Sequence, residues 1–159
     1  MLSLAAIRKL STAVSLDFDK MIKPTIKDRI KRSISASKSK VFMRSDFTGP
    51  RRKFGSYSQV GRVLKELVNE AVLVKMGYGV YVKAKISVLS GNPIPSIHLT
   101  EIGLQLMKKL GIEADVGYFR RLNRDGKSTQ VPMRDLIAVS KPVTRKIKWG
   151  KKELIYEKL

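Results

Sequence analysis

The run from Val41 to Ala84, VFMRSDFTGPRRKFGSYSQVGRVLKELVNEAVLVKMGYGVYVKA, narrows the fold more than any other stretch. Val60, Val63, Leu64, Leu67, Val68 and Ala71 recur at helical spacing, so Ser56–Ala71 predicts a helix with one apolar stripe. Its other face carries Ser58, Gln59, Arg62, Lys65, Glu66 and Asn69. Ser56 is suited to N-cap it, because a serine hydroxyl can accept from a free first-turn N–H. Two β-branched runs, Val72–Met76 and Val80–Val82, then flank Gly77-Tyr78-Gly79. Glycines there tolerate positive φ, so the segment predicts a hairpin.

The segments before it complete a pattern. Lys20, Lys23, Lys27, Arg29, Lys31, Arg32 and Lys38 surround Ile26, Ile30 and Ile34, a buried line at i, i+4 and i+8. Pro24 fits the first turn of that helix. Val41–Met43 predicts a short strand, and Ser45-Asp46-Phe47 a helix start with Phe47 turned inward. A first helix, a short strand, a short helical stretch, a basic loop, a longer helix and a hairpin follow the order of a winged helix-turn-helix. That architecture puts the longer helix in the DNA major groove and the hairpin against the backbone or minor groove.

Charge says what such a unit would bind. Lys and Arg number 33 against 13 Asp and Glu, for a net charge of +20 and a pI near 10.4. Self-repulsion on that scale fits an anionic partner, nucleic acid first and a membrane surface second. Hydrophobic residues make up 43%, enough for a core. The chain has no cysteine, which excludes disulfides, thiolate chemistry and Cys-based zinc sites and fits a reducing cytoplasm. No apolar run reaches the roughly 18 residues of a membrane span, so a soluble protein is expected.

The expected organisation is α+β in three parts. These are an N-terminal extension (1–20), a winged helix-turn-helix (21–89), and a small α+β domain (90–159) ending in a β-hairpin. Met1–Leu16 lacks acids and could pass for a transit peptide or an amphipathic anchor; a solvent-facing or partner-docked terminal helix, or an upstream start codon, is the favoured reading. Ser90–Pro95 is turn chemistry and marks the boundary. Beyond it, Thr100–Leu110 predicts a helix with Gly111 after it, and Val116–Arg124 another, apolar at Val116, Phe119 and Leu122. Asp135–Ser140 predicts a buried strand. Thr144–Trp149 and Lys152–Glu157 predict a hairpin around Gly150-Lys151, packed by Ile147, Trp149, Leu154 and Tyr156.

Catalytic signatures fail. Gly126-Lys127-Ser128 imitates the end of a phosphate loop, but Arg121 stands where that motif needs glycine. His98 is the only histidine, which suits a cap or surface role, and no carboxylate spacing suggests a metal. A protein without enzymatic activity, metal or cofactor is expected.

The residues also resemble a known family. Arg29-Ile30, Val41-Phe42, Asp46-Phe47, Gly55-Ser56 and Gly79-Val80-Tyr81 follow the spacing of the winged-helix domain of AbiEi-type antitoxins of type IV toxin–antitoxin systems, in particular its uncharacterised plasmid- and phage-borne relatives. Gly91-Asn92-Pro93-Ile94-Pro95, Ser128-Thr129-Gln130-Val131-Pro132 and Arg145-Lys146-Ile147 extend the similarity over about residues 25 to 155. Asp125 and Lys127 depart from the apolar residues usual in that family, and Arg51-Arg52-Lys53 makes a longer, more basic loop. The resemblance implies a bacterial or mobile-element transcription regulator in the cytoplasm, associated with the nucleoid. It does not require a toxin encoded beside it.

Site residues follow from the pattern. Ser56, Tyr57, Ser58, Gln59 and Arg62 are expected to read bases, with Arg62 suited to guanine and Gln59 to adenine. Arg51, Arg52, Lys53 and Lys65 are expected on phosphates. Lys75, Tyr78, Lys83 and Lys85 form the wing contact; core packing is the alternative for Tyr57 and Tyr78. Arg120, Arg121, Arg124, Arg145, Lys146 and Lys148 make a second basic surface, or else a homodimer or toxin contact. The partner is double-stranded DNA. Two other classes stay open: a mobile-element protein that uses the basic scaffold to block a host nucleoprotein complex, and an RNA-binding protein.

Overall fold

Thr25 opens the first helix with a reciprocal cap. Its hydroxyl accepts from the Asp28 N–H, and the Asp28 carboxylate accepts from the Thr25 N–H. The Thr25 hydroxyl also donates to the Asp28 carboxylate at 2.7 Å, and this bond, with that of the Thr25 N–H, holds the Asp28 carboxyl below its usual range. The helix, α1, runs Ile26–Ala36, so Pro24 lies before the cap rather than in the first turn. The computed structural model describes residues 23–50, 54–130 and 134–159. The expectations for the N-terminal extension and for Arg51, Arg52 and Lys53 lie outside these residues.

The order continues with β1 (Val41–Met43), a 3₁₀ turn (Arg44–Phe47), α2 (Tyr57–Asn69), β2 (Leu73–Gly77) and β3 (Val80–Ile86). Then come β4 (Pro93–Pro95), α3 (Leu99–Leu110), β5 (Ala114–Val116), α4 (Tyr118–Arg124), β6 (Leu136–Val139), β7 (Lys148–Trp149), β8 (Lys152–Glu153) and β9 (Ile155–Lys158). The chain is mixed α+β.

The first sheet has the antiparallel order β1-β3-β2, with β4 added on β3. Side chains alternate across its two faces. Phe42, Leu73 and Tyr81 point into a core with Ile30 and Ile34 of α1, Phe47, and Val60, Val63, Leu64 and Leu67 of α2. Val41, Met43, Val74, Met76, Val80 and Val82 point the other way, onto Leu99, Ile102, Leu106 and Met107 of α3. Ile137, Val139, Ile147 and Leu154 complete that second core. The sheet is therefore a middle layer, and this explains why Val41-Phe42-Met43 and Val80-Tyr81-Val82 are apolar without a break.

Several expectations change here. Residues 93–95, expected as turn chemistry, form an edge strand, where prolines are tolerated. The expected boundary between 89 and 90 does not divide the core, since α3 and the later strands pack on the first sheet. Residues 114–116 form a strand, because Ala114, Asp115 and Val116 pair with Val139, Ala138 and Ile137; only 118–124 of the expected 116–124 helix is helical. The final hairpin is two residues per strand. Buried Leu154 turns the chain inward, and β9 pairs in parallel with β6 in a second sheet of order β5-β6-β9. Helix α2 ends at Asn69, and Ala71 takes φ 61° rather than extending the apolar stripe.

If the two cores unfold as one unit, heating should give a single transition at every wavelength. Leu106→Ala should cost about 2–5 kcal/mol and lower the one midpoint, as for other buried leucines. Two separated transitions in a calorimetric scan would show that the halves are independent.

Candidate nucleic-acid interface

Helix α2 begins at a second reciprocal cap. The Ser56 hydroxyl accepts from the Gln59 N–H at 3.3 Å, and the Gln59 side-chain carbonyl accepts from the Ser56 N–H at 2.9 Å. Ser56 thus performs its expected capping. Gln59 is exposed, but the carbonyl it would turn to adenine N6 is already engaged.

One residue that the sequence pattern did not single out organises the surroundings. Arg44 donates its backbone N–H to the Gly79 carbonyl at the hairpin turn, at 3.2 Å. Its side-chain Nε donates to the Tyr57 carbonyl at 2.9 Å, and its guanidinium lies 3.6 Å from the centre of the Tyr57 ring. Gly61 makes room for it, because a methyl group there would overlap the guanidinium. Arg44 thereby fixes the start of α2 and the tip of the β2–β3 hairpin on either side of one residue. A glycine inside an otherwise strong helix was the available signal, since such glycines often mark a close approach.

The outer face of α2 is electrically uneven. At its C-terminal end Lys27 pairs with Glu70 and, at 3.3 Å, with Glu66. The contact with Glu70 raises the Lys27 ammonium above its ordinary range and holds the Glu70 carboxyl down. Ser58 and Arg62 nearer the N-terminus, and Lys65 beside Glu66, are exposed, and neither cation has an ion-pair partner among the described residues. Tyr57 is 53% and Tyr78 80% exposed, so neither is a core residue.

At the hairpin, Gly79 takes φ 67° and Gly77 does not take a positive angle. Lys75 is exposed and shares the helix-side face with Tyr81, its partner across the ladder. Lys83 and Lys85 occupy the half of β3 remote from the tip. Lys83 is half-buried and donates to the Ser37 carbonyl at 2.7 Å, tying β3 to the end of α1. Burial lowers its ammonium below the ordinary lysine range. Lys85 is exposed opposite Ile94 of β4.

The six cations of the carboxyl half do not form one patch. Arg145 donates to the Tyr78 carbonyl at 3.2 Å, so it joins the hairpin tip. The Lys146 carbonyl presses on Gly77, where a methyl group would overlap it. Arg124 is shared by Asp115 at 3.6 Å and Asp125 at 3.7 Å, and Lys148 lies 3.8 Å from Glu153. Arg121 is half-buried, and Arg120 is exposed on the side of a separate cleft.

The described residues contain no group of three or more His, Asp or Glu placed to hold a metal, and none of their helices is long and apolar enough to cross a membrane. His98 is an exposed N-cap of α3 that makes no side-chain capping bond.

Gly77 offers a test of the junction. Its backbone angle is ordinary, so Gly77→Ala acts only through the overlap with the Lys146 carbonyl, which is main chain and cannot swing away. It should destabilise the protein by about 1–3 kcal/mol, as overpacking does, where Gly79→Ala would act through backbone strain alone. An unchanged denaturation midpoint for Gly77→Ala would mean that residues 145–147 do not lie against the hairpin.

Comparison with curated proteins and with solved structures gave no match. A family model does match, over residues 25–159, which leaves out only the first 24 residues. The chain belongs to this family, described as a family of unknown function, DUF6088.

Proposed function

We propose that the protein is a sequence-specific DNA-binding transcriptional regulator built on a winged helix-turn-helix, with α2 in the major groove and the β2–β3 hairpin as the wing. The observation that carries this reading is the Arg44 junction. It sets the free N-terminal part of α2 beside the hairpin tip, so both meet one duplex from the same side. Arg62 then reads guanine O6 and N7 as a bidentate donor, and Ser58 contacts a neighbouring base. Lys65, Lys75 and Arg145 neutralise phosphates, and Tyr78 lies along the backbone at the tip. Arg51, Arg52 and Lys53 extend the phosphate contact on sequence grounds. The similarity to AbiEi-type antitoxins supports repression of the protein's own promoter, with a homodimer on an inverted repeat supplying affinity that one winged unit lacks.

A second reading has one observation in its favour. The capping role of Gln59 removes a base reader and leaves a surface richer in charge than in specific donors. On this reading the scaffold coats nucleic acid, or blocks a host nucleoprotein complex, without reading sequence.

Binding of the full chain to its own upstream DNA and to random duplex, across a salt series, separates the two. A regulator should favour its operator by a factor on the order of a thousand or more; a coating protein should show little preference. Arg62→Ala should cost about 1–3 kcal/mol and relax preference at one base pair. Lys65→Ala should weaken every sequence alike and flatten the salt slope by about one unit. An Arg62→Ala protein with unaltered preference would remove α2 from the groove.

A further inference from the structure

A cleft on the carboxyl half takes no part in this reading. It opens where α3 begins, against the short β7–β8 hairpin, and has two compartments. The first, about 320 Å³, is mainly apolar and lined by Trp149, Ile94, Pro95 and Ile97. The second, about 500 Å³, is lined by Arg120, Arg134, Lys151 and Lys152 against Asp135 and Glu153. His98, Asp135 and Lys152 line both, so the compartments are continuous.

Each part has a chemistry to spare. None of Arg120, Arg134, Lys151 and Lys152 has an ion-pair partner among the described residues. His98 and Leu99 at the start of α3 line the cleft, and that helix end has no side-chain cap, which adds partial positive charge there. Asp135 is fixed at the junction by the Thr100 hydroxyl, which donates to its Oδ1 at 3.2 Å and leaves Oδ2 without a protein donor among the described residues. Ser96 lines the apolar compartment, and its buried hydroxyl has no partner among the described residues. Trp149 is 37% exposed and lines the apolar compartment.

A flat heterocycle, a polyhydroxyl spacer and a phosphate match this sequence of surfaces in that order. We infer that the cleft binds a nucleoside 5′-phosphate, with the base against Trp149, a sugar hydroxyl on Asp135 and the phosphate among Arg120, Arg134 and Lys151. The volumes fall in the range of small-molecule sites. The same chemistry is offered by a free nucleotide and by the 5′-phosphorylated end of a strand. The inference rests on the cleft alone and stands apart from the DNA-binding reading.

Trp149 is the only tryptophan of the chain, so its emission reports on the cleft directly. The full chain is titrated with AMP, adenosine and inorganic phosphate. AMP should change the emission saturably, with adenosine and phosphate each weaker by about tenfold or more, the loss expected for a missing charged or stacked group. Arg120→Gln combined with Lys151→Gln should weaken AMP by about tenfold and leave adenosine unchanged. A melting curve shows that the variant is folded, and Arg134→Gln serves in its place if it is not. A 5′-phosphorylated tetranucleotide that binds as AMP does, where its 5′-hydroxyl form does not, assigns a strand end; binding of AMP alone assigns a free nucleotide. Either supports the inference. It is overturned if no probe gives a saturable change, if phosphate binds as well as AMP, or if the substitutions leave AMP binding unaltered.

Discussion

Burial of one small sheet on both faces is what the rest of the structure depends on. A sheet with one wet face alternates apolar and polar residues; β1 and the first half of β3 do not, because each successive side chain enters a different core. Val41 faces α3 while Phe42 faces α1 and α2. Burying an aliphatic side chain is worth about 1.5–3 kcal/mol, so losing either layer would expose a row of such residues. The carboxyl half is thus part of the support of the helix-bearing face, not an attachment to it. The close approach of Gly77 to the Lys146 carbonyl and of Gly103 to the Leu154 and Ile137 side chains shows how tightly that support is set.

The cationic edge follows from this arrangement. The sheet fixes where β1 ends, and Arg44 is the next residue. Its main chain holds the hairpin and its side chain holds α2, so the turn and the helix start are joined through a single position. Lys27 then compensates the acids Glu66 and Glu70 on α2, while Arg62 and Lys65 have no ion-pair partner among the described residues. Arg145 brings the carboxyl half to the same place by bonding the Tyr78 carbonyl. The net charge of +20 is a property of the whole chain, but the free cations of this edge are those that lack acids among the described residues.

Much of this was legible in the sequence, and for identifiable reasons. The period of α2, its Ser56 cap, the strand at 41–43 and the hairpin at 73–86 rest on local patterning, which adjacent residues determine. Most of the failures share a cause, since they depend on contacts distant in sequence. Residues 93–95 read as turn chemistry until β3 lies beside them. Ala114–Val116 becomes a strand because β6 offers it a partner. The bond from Lys83 to the end of α1 likewise has no local signal. Ala71 completed an apolar stripe by spacing, but the turn into β2 needs a left-handed residue there. Arg44 was invisible as a site residue because one cation among 33 carries no mark of its partner.

The account stands or falls on whether duplex DNA meets the edge that Arg44 assembles. Amide chemical-shift mapping of the full chain, titrated with a duplex from its own upstream region, tests this directly. The largest changes should cluster at residues 56–66, at 75–79 and at 145–146, with α3 and β6 little affected. Changes confined to the α3 and β7–β8 side, with the start of α2 and the hairpin tip unmoved, would contradict it.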